Sequence, residues 1–109
     1  MEMVNAFDPG KLRSIFSTHE QSRTTDDHFL TSGDKIRFFF EERAFNPDGT
    51  LKQPKERSIN KIGHALHDLD PVFDKFSRSP KLRSLVTDFG LEDPLLLQSM
   101  YIFKQPNIG

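Results

Sequence analysis

Residues 35–42 read KIRFFFEE, and this stretch decides the fold class. Its side chains alternate, with Ile36, Phe38 and Phe40 on one side and mainly charged residues on the other. Alternation over this length is typical of a β-strand with one apolar face. The sequence NPDG at residues 46–49 predicts a turn, because Asn and Asp bond nearby amides and Gly accepts a positive φ. We therefore expect a hairpin that returns through Leu51.

Three helices are predicted after the hairpin, each with its own start signal. Ser58 can cap the first helix, and the pairs Asp70-Pro71 and Ser79-Pro80 begin the second and third. Gly90 is expected to end the third helix. The residues predicted to face the core repeat at helical spacing, and they are Ile59, Ile62, Ala65, Leu66 and Leu69, then Val72, Phe73 and Phe76, then Leu82, Leu85, Val86 and Phe89.

The last predicted element is a long strand over residues 94–104, PLLLQSMYIFK. It is apolar on both faces, which is typical of a strand inside a sheet that is covered on both sides. The order of hairpin, helices and strand indicates an α+β fold. Because such a strand needs a neighbour on each side and only one hairpin precedes it, we expect the chain to stop inside its domain.

The composition excludes several classes of protein. The 109 residues contain no cysteine and carry a formal net charge of -1. A disulfide framework, a thiolate nucleophile and a cysteine-based metal site are therefore excluded. Without a basic excess or a long apolar run, we expect neither a nucleic-acid partner nor a membrane. The first residues lack the pattern of a signal peptide and the last do not form a peroxisomal tripeptide, so we expect a cytoplasmic rather than a secreted protein.

Two histidines are the first candidates for chemistry. His64 and His67 lie three residues apart in the predicted first helix, near Asp68 and Asp70. Histidine and carboxylate are the ligand types of zinc and non-haem iron sites. The same histidines could instead interact with the carbonyl groups at the end of the helix, and the spacing favours this structural role. No Ser-His-Asp arrangement can be assembled from the sequence.

Lys61 and Met100 are the second pair of candidates. Lys61 lies in the first turn of the predicted helix, where the helix dipole disfavours a cation, so an anionic ligand would explain it. The alternative is a solvated surface lysine. Met100 shares one face of the last strand with Gln98, Ile102 and Lys104. Such a mixed face is typical of a sheet that lines a ligand, and ordinary core packing is the alternative.

Three blocks of sequence resemble one known family. They are SGDKIRFFFE at residues 32–41, SINKIGHALH at 58–67 with DPVF at 70–73, and QSMYIFKQP at 98–106. Together they resemble the phytanoyl-CoA dioxygenase-like family of iron(II)- and 2-oxoglutarate-dependent oxygenases. The resemblance covers residues 26–109, whereas residues 1–25 match poorly. It implies a poorly matched segment over 1–25 and the N-terminal part of an oxygenase domain over 26–109.

The resemblance implies a fold and a set of site residues. The fold would be an incomplete double-stranded β-helix, a cupin-like jelly roll, with N-terminal helices, a hairpin and the first core strand. The family holds iron with a His-x-Asp motif and a distal His, and both would follow the stretch that matches residues 105–109. The resemblance therefore implies no catalytic residue and no metal ligand within this chain. The family positions that match Lys61 and Met100 contact 2-oxoglutarate.

The resemblance also implies a function. The whole protein would hydroxylate an organic substrate while decarboxylating 2-oxoglutarate to succinate, using Fe(II). The chain alone would bind neither cofactor stably and would be inactive. The alternative is a non-catalytic truncated form or interaction fragment that associates with itself through exposed strand edges.

Overall fold

A three-stranded antiparallel sheet is the centre of the structure, and its strands lie in the order β1-β2-β3. The computed structural model describes residues 2–6, 8, 14–15 and 27–108. Within them the elements are α1 (Glu2–Ala6), α2 (Asp27–Leu30), β1 (Ile36–Phe40), a 3-10 turn (Lys55–Arg57), β2 (Ile59–His64), α3 (Leu66–Leu69), α4 (Pro71–Ser77), α5 (Pro80–Asp88) and β3 (Ser99–Ile102). The fold is α+β, as the sequence predicts. No helix in these ranges has the length and apolar character needed to cross a membrane.

The predicted first strand and the predicted turn are confirmed, but the pairing differs. β1 occupies most of the alternating stretch. In the turn, the Gly49 N–H donates to the Asn46 carbonyl over 2.9 Å, and Gly49 has a φ of 83°. The return of the chain makes only an isolated bridge between Phe45 and Leu51. The full antiparallel partner of β1 is β2, which comes later in the sequence.

The helix predicted after Ser58 is wrong, because residues 59–64 form the central strand β2. Ser58 is fully buried, and its hydroxyl donates to the carbonyls of Gln53 and Pro54, each over 3.1 Å. Five of the six β2 residues are buried, because strands lie on both edges of β2 and its faces are covered. A strand buried on both faces loses the polar alternation that marks a half-exposed strand.

The second and third predicted helices are confirmed as α4 and α5. Asp70 Oδ1 accepts hydrogen bonds from the N–H groups of Val72 and Phe73 over 2.9 and 3.1 Å, which is an N-cap worth about 1 kcal/mol. Gly90 has a φ of 79° and its N–H donates to Thr87 over 2.8 Å, so it ends α5. The predicted burial of their apolar residues is largely wrong. Phe73 is half-buried, but Val72, Phe76, Leu85 and Phe89 are 51–78% exposed.

The long last strand is also corrected by the structure. Only Ser99–Ile102 pair with β2, and they form an edge of the sheet. Leu95 and Leu97 are 83% and 85% exposed, and Tyr101 and Ile102 are each 51% exposed. The prediction that residues 94–104 form a strand covered on both sides is therefore wrong.

The hydrophobic core lies between α1, the first two strands and the start of α3. Its buried residues are Val4, Phe40, Ala44, Ile59, Ile62 and Leu66. The proposed jelly roll and the division at residue 25 stay predictions, and much of 1–25 lies outside the described residues.

Candidate functional site

Lys61 is buried in the middle of the sheet. It lies on β2 opposite Phe39 of β1 and Ile102 of β3. The sequence-based reason for choosing it, an unfavourable place in a helix, is wrong because the residue is in a strand. Its exposed fraction is 5%, so the alternative of a solvated surface lysine is wrong too. A lysine this deeply buried is uncommon and calls for a specific environment.

Among the described residues, two aromatic rings lie close to the Lys61 amine. Its Nζ lies 5.1 Å from the ring centre of Phe29 and 5.4 Å from that of Phe39. Ring faces attract an ammonium group. Removal of water from around the amine instead disfavours its charged form. Burial therefore lowers the pKa of Lys61 from 10.5 to about 8. The amine is therefore mainly a cation at neutral pH, although burial disfavours its charged form.

Met100 lies on the same face of the sheet as Lys61, because its partner on β2 is two residues beyond Lys61. It pairs with Gly63, and the next pair on that face is Lys61 with Ile102. A Cβ added to Gly63 would lie 3.0 Å from Met100 Cγ, so the missing side chain lets the methionine lie over β2. Met100 is 39% exposed. The structure thus places the two predicted 2-oxoglutarate contacts on one face, while Lys104 lies beyond the end of β3 and is exposed.

His64 borders the same face and is buried at the end of β2. Its Nδ1 lies 2.7 Å from Ser32 Oγ, and the Ser32 hydroxyl donates to the Phe29 carbonyl over 2.5 Å. Since that hydroxyl proton is used, Ser32 accepts from His64, which assigns the proton of the imidazole to Nδ1. The ring packs against Phe29 and Phe39 at centre distances of 5.5 and 5.6 Å. Burial, and then the charge of Lys61, lower the pKa of His64, so it is neutral at pH 7.

His67 has a different set of partners. It lies in α3, and Ser99 Oγ of β3 accepts a hydrogen bond from its backbone N–H over 2.8 Å and lies 2.7 Å from its Nδ1. Its Nε2 lies 3.3 Å from a carboxylate oxygen of Asp68. Ser99 thus contacts the His67 ring, and the other side of that ring contacts Asp68. The sequence does not predict this arrangement. Because Ser99 also accepts the backbone N–H, these contacts attach β3 to α3.

The two histidines do not form the helical pair that the sequence predicts. One ends a strand and contacts Ser32, and the other lies in a helix and contacts Ser99. Across the described ranges, no three His, Cys, Asp or Glu side chains come close enough together to hold a metal ion. Neither the metal hypothesis for this pair nor its helix-end alternative fits these contacts.

Sequence reasoning missed three residues that shape the site. Ser32 is 1% exposed and orients His64, Phe29 lies over the amine, and Gly63 makes room for Met100. Of these, only Gly63 carries a sequence signal, because a glycine inside a strand marks the close approach of a neighbouring group. The helical spacing of the apolar residues at 59–69 masks that signal, because a glycine in a predicted helix does not indicate such an approach.

The opposite face of the sheet holds an apolar cavity of about 230 Å³. Ile62 and Tyr101, which pair across β2 and β3, form part of its wall. The remaining lining residues are Met3, Val4, Leu66, Phe73 and Phe103. Among the residues that the structure describes, no charged side chain lines this cavity, so its lining differs in chemistry from the face of Lys61.

The burial of Lys61 predicts a pH effect on stability. The folded-state pKa of about 8 lies below the unfolded value of 10.5, so the unfolded chain binds more protons between these values. The free energy of unfolding should therefore rise with pH between 8 and 10.5, by up to about 1.4 kcal/mol per pH unit from this group. Lys61→Met should remove that rise. Urea unfolding of both proteins at pH 7, 8.5 and 10 tests this, and parallel pH profiles would contradict it.

Comparison with known proteins shows the family. Residues 4–109 match the family model described as phytanoyl-CoA dioxygenase (PhyH). The chain therefore belongs to the phytanoyl-CoA dioxygenase family, as the resemblance of its sequence blocks implies.

Relatives from plants and animals support this assignment. A phytanoyl-CoA dioxygenase of Arabidopsis thaliana is 56% identical over 108 residues, which are 99% of this chain and 38% of the relative. The phytanoyl-CoA dioxygenase domain-containing protein 1 of Rattus norvegicus is 52% identical over 113 residues, covering 99% of this chain and 39% of the relative. A homolog of that protein in Caenorhabditis elegans is 50% identical over 98 residues, or 89% and 34%. This chain thus spans little more than a third of the length of these relatives.

Proposed function

We propose that this chain supplies the 2-oxoglutarate-binding face of an iron(II)- and 2-oxoglutarate-dependent dioxygenase. The whole protein would hydroxylate an organic substrate and convert 2-oxoglutarate to succinate. The observation that carries the proposal is the buried Lys61 cation on the same sheet face as Met100. The family name adds the class of reaction, and it suggests an acyl-CoA as the substrate.

The residues of this face fit a dicarboxylate. Lys61 would donate a charge-assisted hydrogen bond to a carboxylate of the co-substrate. Met100 would pack against the apolar carbons of the co-substrate, since its unbranched chain adapts to the shape of its neighbour. Neutral His64 beside the amine adds no competing positive charge. The chain would in this way bind and orient the co-substrate.

The described residues do not fit iron. His64 and His67 have serine partners on different parts of the sheet, and no third ligand joins them within the described ranges. Bound Fe(II) supplies oxygen activation in oxygenases of this kind. The role proposed for this chain is therefore confined to the co-substrate.

A turnover assay tests the proposal. We expect succinate from 2-oxoglutarate when the chain is expressed as part of a longer form that contains a His-x-Asp motif, with Fe(II) and a candidate acyl-CoA present. The 109-residue chain alone should give none, because its described residues do not gather an iron site. The longer form with the histidine of its His-x-Asp motif replaced by alanine is the matched control. Succinate from the 109-residue chain, or from the control, would contradict the proposal.

The exposed edge of β3 supports a second candidate, a non-catalytic chain that pairs with a second copy of itself. Residues 94–103 carry no charge, and Asp93 and Lys104 flank them. Antiparallel pairing of two copies can place Asp93 of one chain near Lys104 of the other, so the charges at the ends would attract. Leu95, Leu97 and Ile102 are more than half exposed in the single chain, so pairing would remove apolar surface from water.

The self-association candidate predicts a dimer that a charge disrupts. Leu97→Lys places a cation within the apolar segment at a residue that is 85% exposed, so the fold itself should be unaffected. We expect the wild-type chain to dimerise as its concentration rises in analytical ultracentrifugation, and the variant to remain a monomer. Leu91→Lys, at a residue that is 57% exposed outside the segment, is the control and should dimerise. A monomeric wild-type chain would rule out this candidate.

A further inference from the structure

Three buried side chains form the floor of the apolar cavity on the face of the sheet opposite Lys61. They belong to Val4, Ile62 and Leu66, which are 4%, 6% and 1% exposed. These residues lie on α1, β2 and α3, so three elements of the fold determine the shape of the floor. All three also belong to the buried core cluster. The cavity is therefore part of the packed core and not a gap beneath a loop.

The remaining wall of the cavity is partly open to solvent. Tyr101 is 51% exposed, and Met3, Phe73 and Phe103 are half-buried. The Tyr101 ring meets both phenylalanine rings edge-to-face, with centre distances of 6.3 Å to Phe73 and 4.9 Å to Phe103. These four residues form the mouth of the cavity, and a small molecule can reach the buried floor between them.

Water gains little from entering this space. A bound water needs about two to four polar partners. In the described part of the lining, the Tyr101 hydroxyl is the one side-chain group that makes strong hydrogen bonds. The cavity measures about 230 Å³, whereas an engineered cavity of about 150 Å³ with an aliphatic and aromatic lining stays dry and binds benzene. The space therefore suits an apolar molecule somewhat larger than benzene.

We propose that this cavity is a binding site for an uncharged aromatic molecule of one ring, such as a methylated benzene. The rings of Phe73, Tyr101 and Phe103 would extend their edge-to-face arrangement to the ring of the ligand. The thioether of Met3 would add a sulfur–aromatic contact. A charged molecule of the same size would leave water without gaining a partner for its charge in this lining.

The aromatic site is independent of the proposed co-substrate role. Ile62 and Tyr101 lie on one face of the sheet, whereas the neighbouring residues Lys61 and Met100 lie on the other. A ligand in the cavity would therefore touch neither residue that is proposed to bind 2-oxoglutarate. Failure of the aromatic site would leave the co-substrate proposal as it stands, and the converse also holds.

Methyl NMR with toluene and benzoate as probes tests the inference. The 109-residue chain is prepared with ¹³C-labelled methyl groups on Ile, Leu and Val and is titrated with each compound at pH 7. We expect toluene to shift the methyl signals of Val4, Ile62 and Leu66 until they saturate. The signals of Leu85, which is exposed on α5, should not move. Benzoate has the same ring but carries a charge, so it should bind at least about tenfold more weakly.

Two matched variants locate the site. Met3→Glu places a carboxylate at the mouth of the cavity and should weaken toluene binding by at least about tenfold. Phe76→Glu introduces the same charge on α4 at a residue that is 66% exposed and does not line the cavity, so binding should be unchanged. Circular dichroism checks that both variants fold, and the comparison of toluene with benzoate needs neither of them.

Several results would overturn the inference. One is a toluene titration that leaves the signals of Val4, Ile62 and Leu66 in place, or that moves those of Leu85 equally. Another is benzoate binding as tight as that of toluene. Equal toluene affinity of the folded Met3→Glu and Phe76→Glu variants would also overturn it, because the ligand would then not pass or occupy the mouth of this cavity.

Discussion

Lys61→Ala is expected to raise the KM for 2-oxoglutarate by about tenfold to a hundredfold in a form of the protein that contains the iron ligands. A hydrogen bond between a charged amine and a carboxylate is worth roughly 1.5–3 kcal/mol, which corresponds to that loss of affinity. The alanine also leaves a space below Phe29 and Phe39. Steady-state kinetics at varied 2-oxoglutarate concentration measures the effect.

Two further variants separate charge from packing. Lys61→Met keeps most of the volume of the side chain and removes the charge, so it should fold at least as well as wild type and still lose affinity for 2-oxoglutarate. Lys52→Ala removes an exposed lysine from the loop before β2 and should leave the kinetics unchanged. If Lys61→Ala and Lys52→Ala behave alike, Lys61 does not bind the co-substrate.

Phe40→Ala is expected to destabilise the 109-residue chain by about 3–5 kcal/mol. Phe40 is fully buried and packs edge-to-face on Phe45 with their ring centres 5.0 Å apart. The buried core cluster of the described residues is small, and a loss of that size approaches the whole stability of a small domain. Urea unfolding followed by circular dichroism is the suitable measurement, because the chain has no tryptophan.

A second phenylalanine provides the control for Phe40. Phe76 lies on α4 and is 66% exposed, so Phe76→Ala should change the free energy of unfolding by less than about 0.5 kcal/mol. Equal effects of the two substitutions would mean that the burial of Phe40 does not determine stability.

The sequence correctly predicts those features of the fold that depend on interactions between residues close in the chain. The alternation around Phe38 predicted β1, the NPDG turn is present, and Asp70 caps α4 through its own carboxylate. Each of these depends on residues that are close in sequence. These three features can therefore be predicted without knowledge of the rest of the chain.

The central strand could not be predicted in this way. The buried residues Ile59, Ile62 and Leu66 have a spacing that fits a helix, and they gave the wrong secondary structure. What decides the strand is pairing with β1 and β3, which are distant in sequence. The exposure of α5 was missed for a related reason, because an apolar stripe shows which face could be buried but not whether a partner covers it.

For the candidate site, the structure changes the physical reason that singles out Lys61 and leaves its role a prediction. Lys61 stood out as a misplaced cation in a helix, and the structure replaces that reason with burial beneath two rings. Met100 was chosen from the mixed face of its strand and from the family resemblance. Their roles toward 2-oxoglutarate stay predictions. Ser32 could not have been found, since only the fold brings it to His64.

The position of β2 between its neighbours has a kinetic consequence. Pairing of β3 with β2 must close a loop over residues 65–98, and that closure is paid in chain entropy before any contact is gained. The helices α3, α4 and α5 lie inside this loop and form from local contacts, so they can shorten it first. We therefore expect β3 to dock late in folding. Amide hydrogens of β3 should exchange with solvent before those of β1 and β2, through a partial opening that leaves the first strand pair intact.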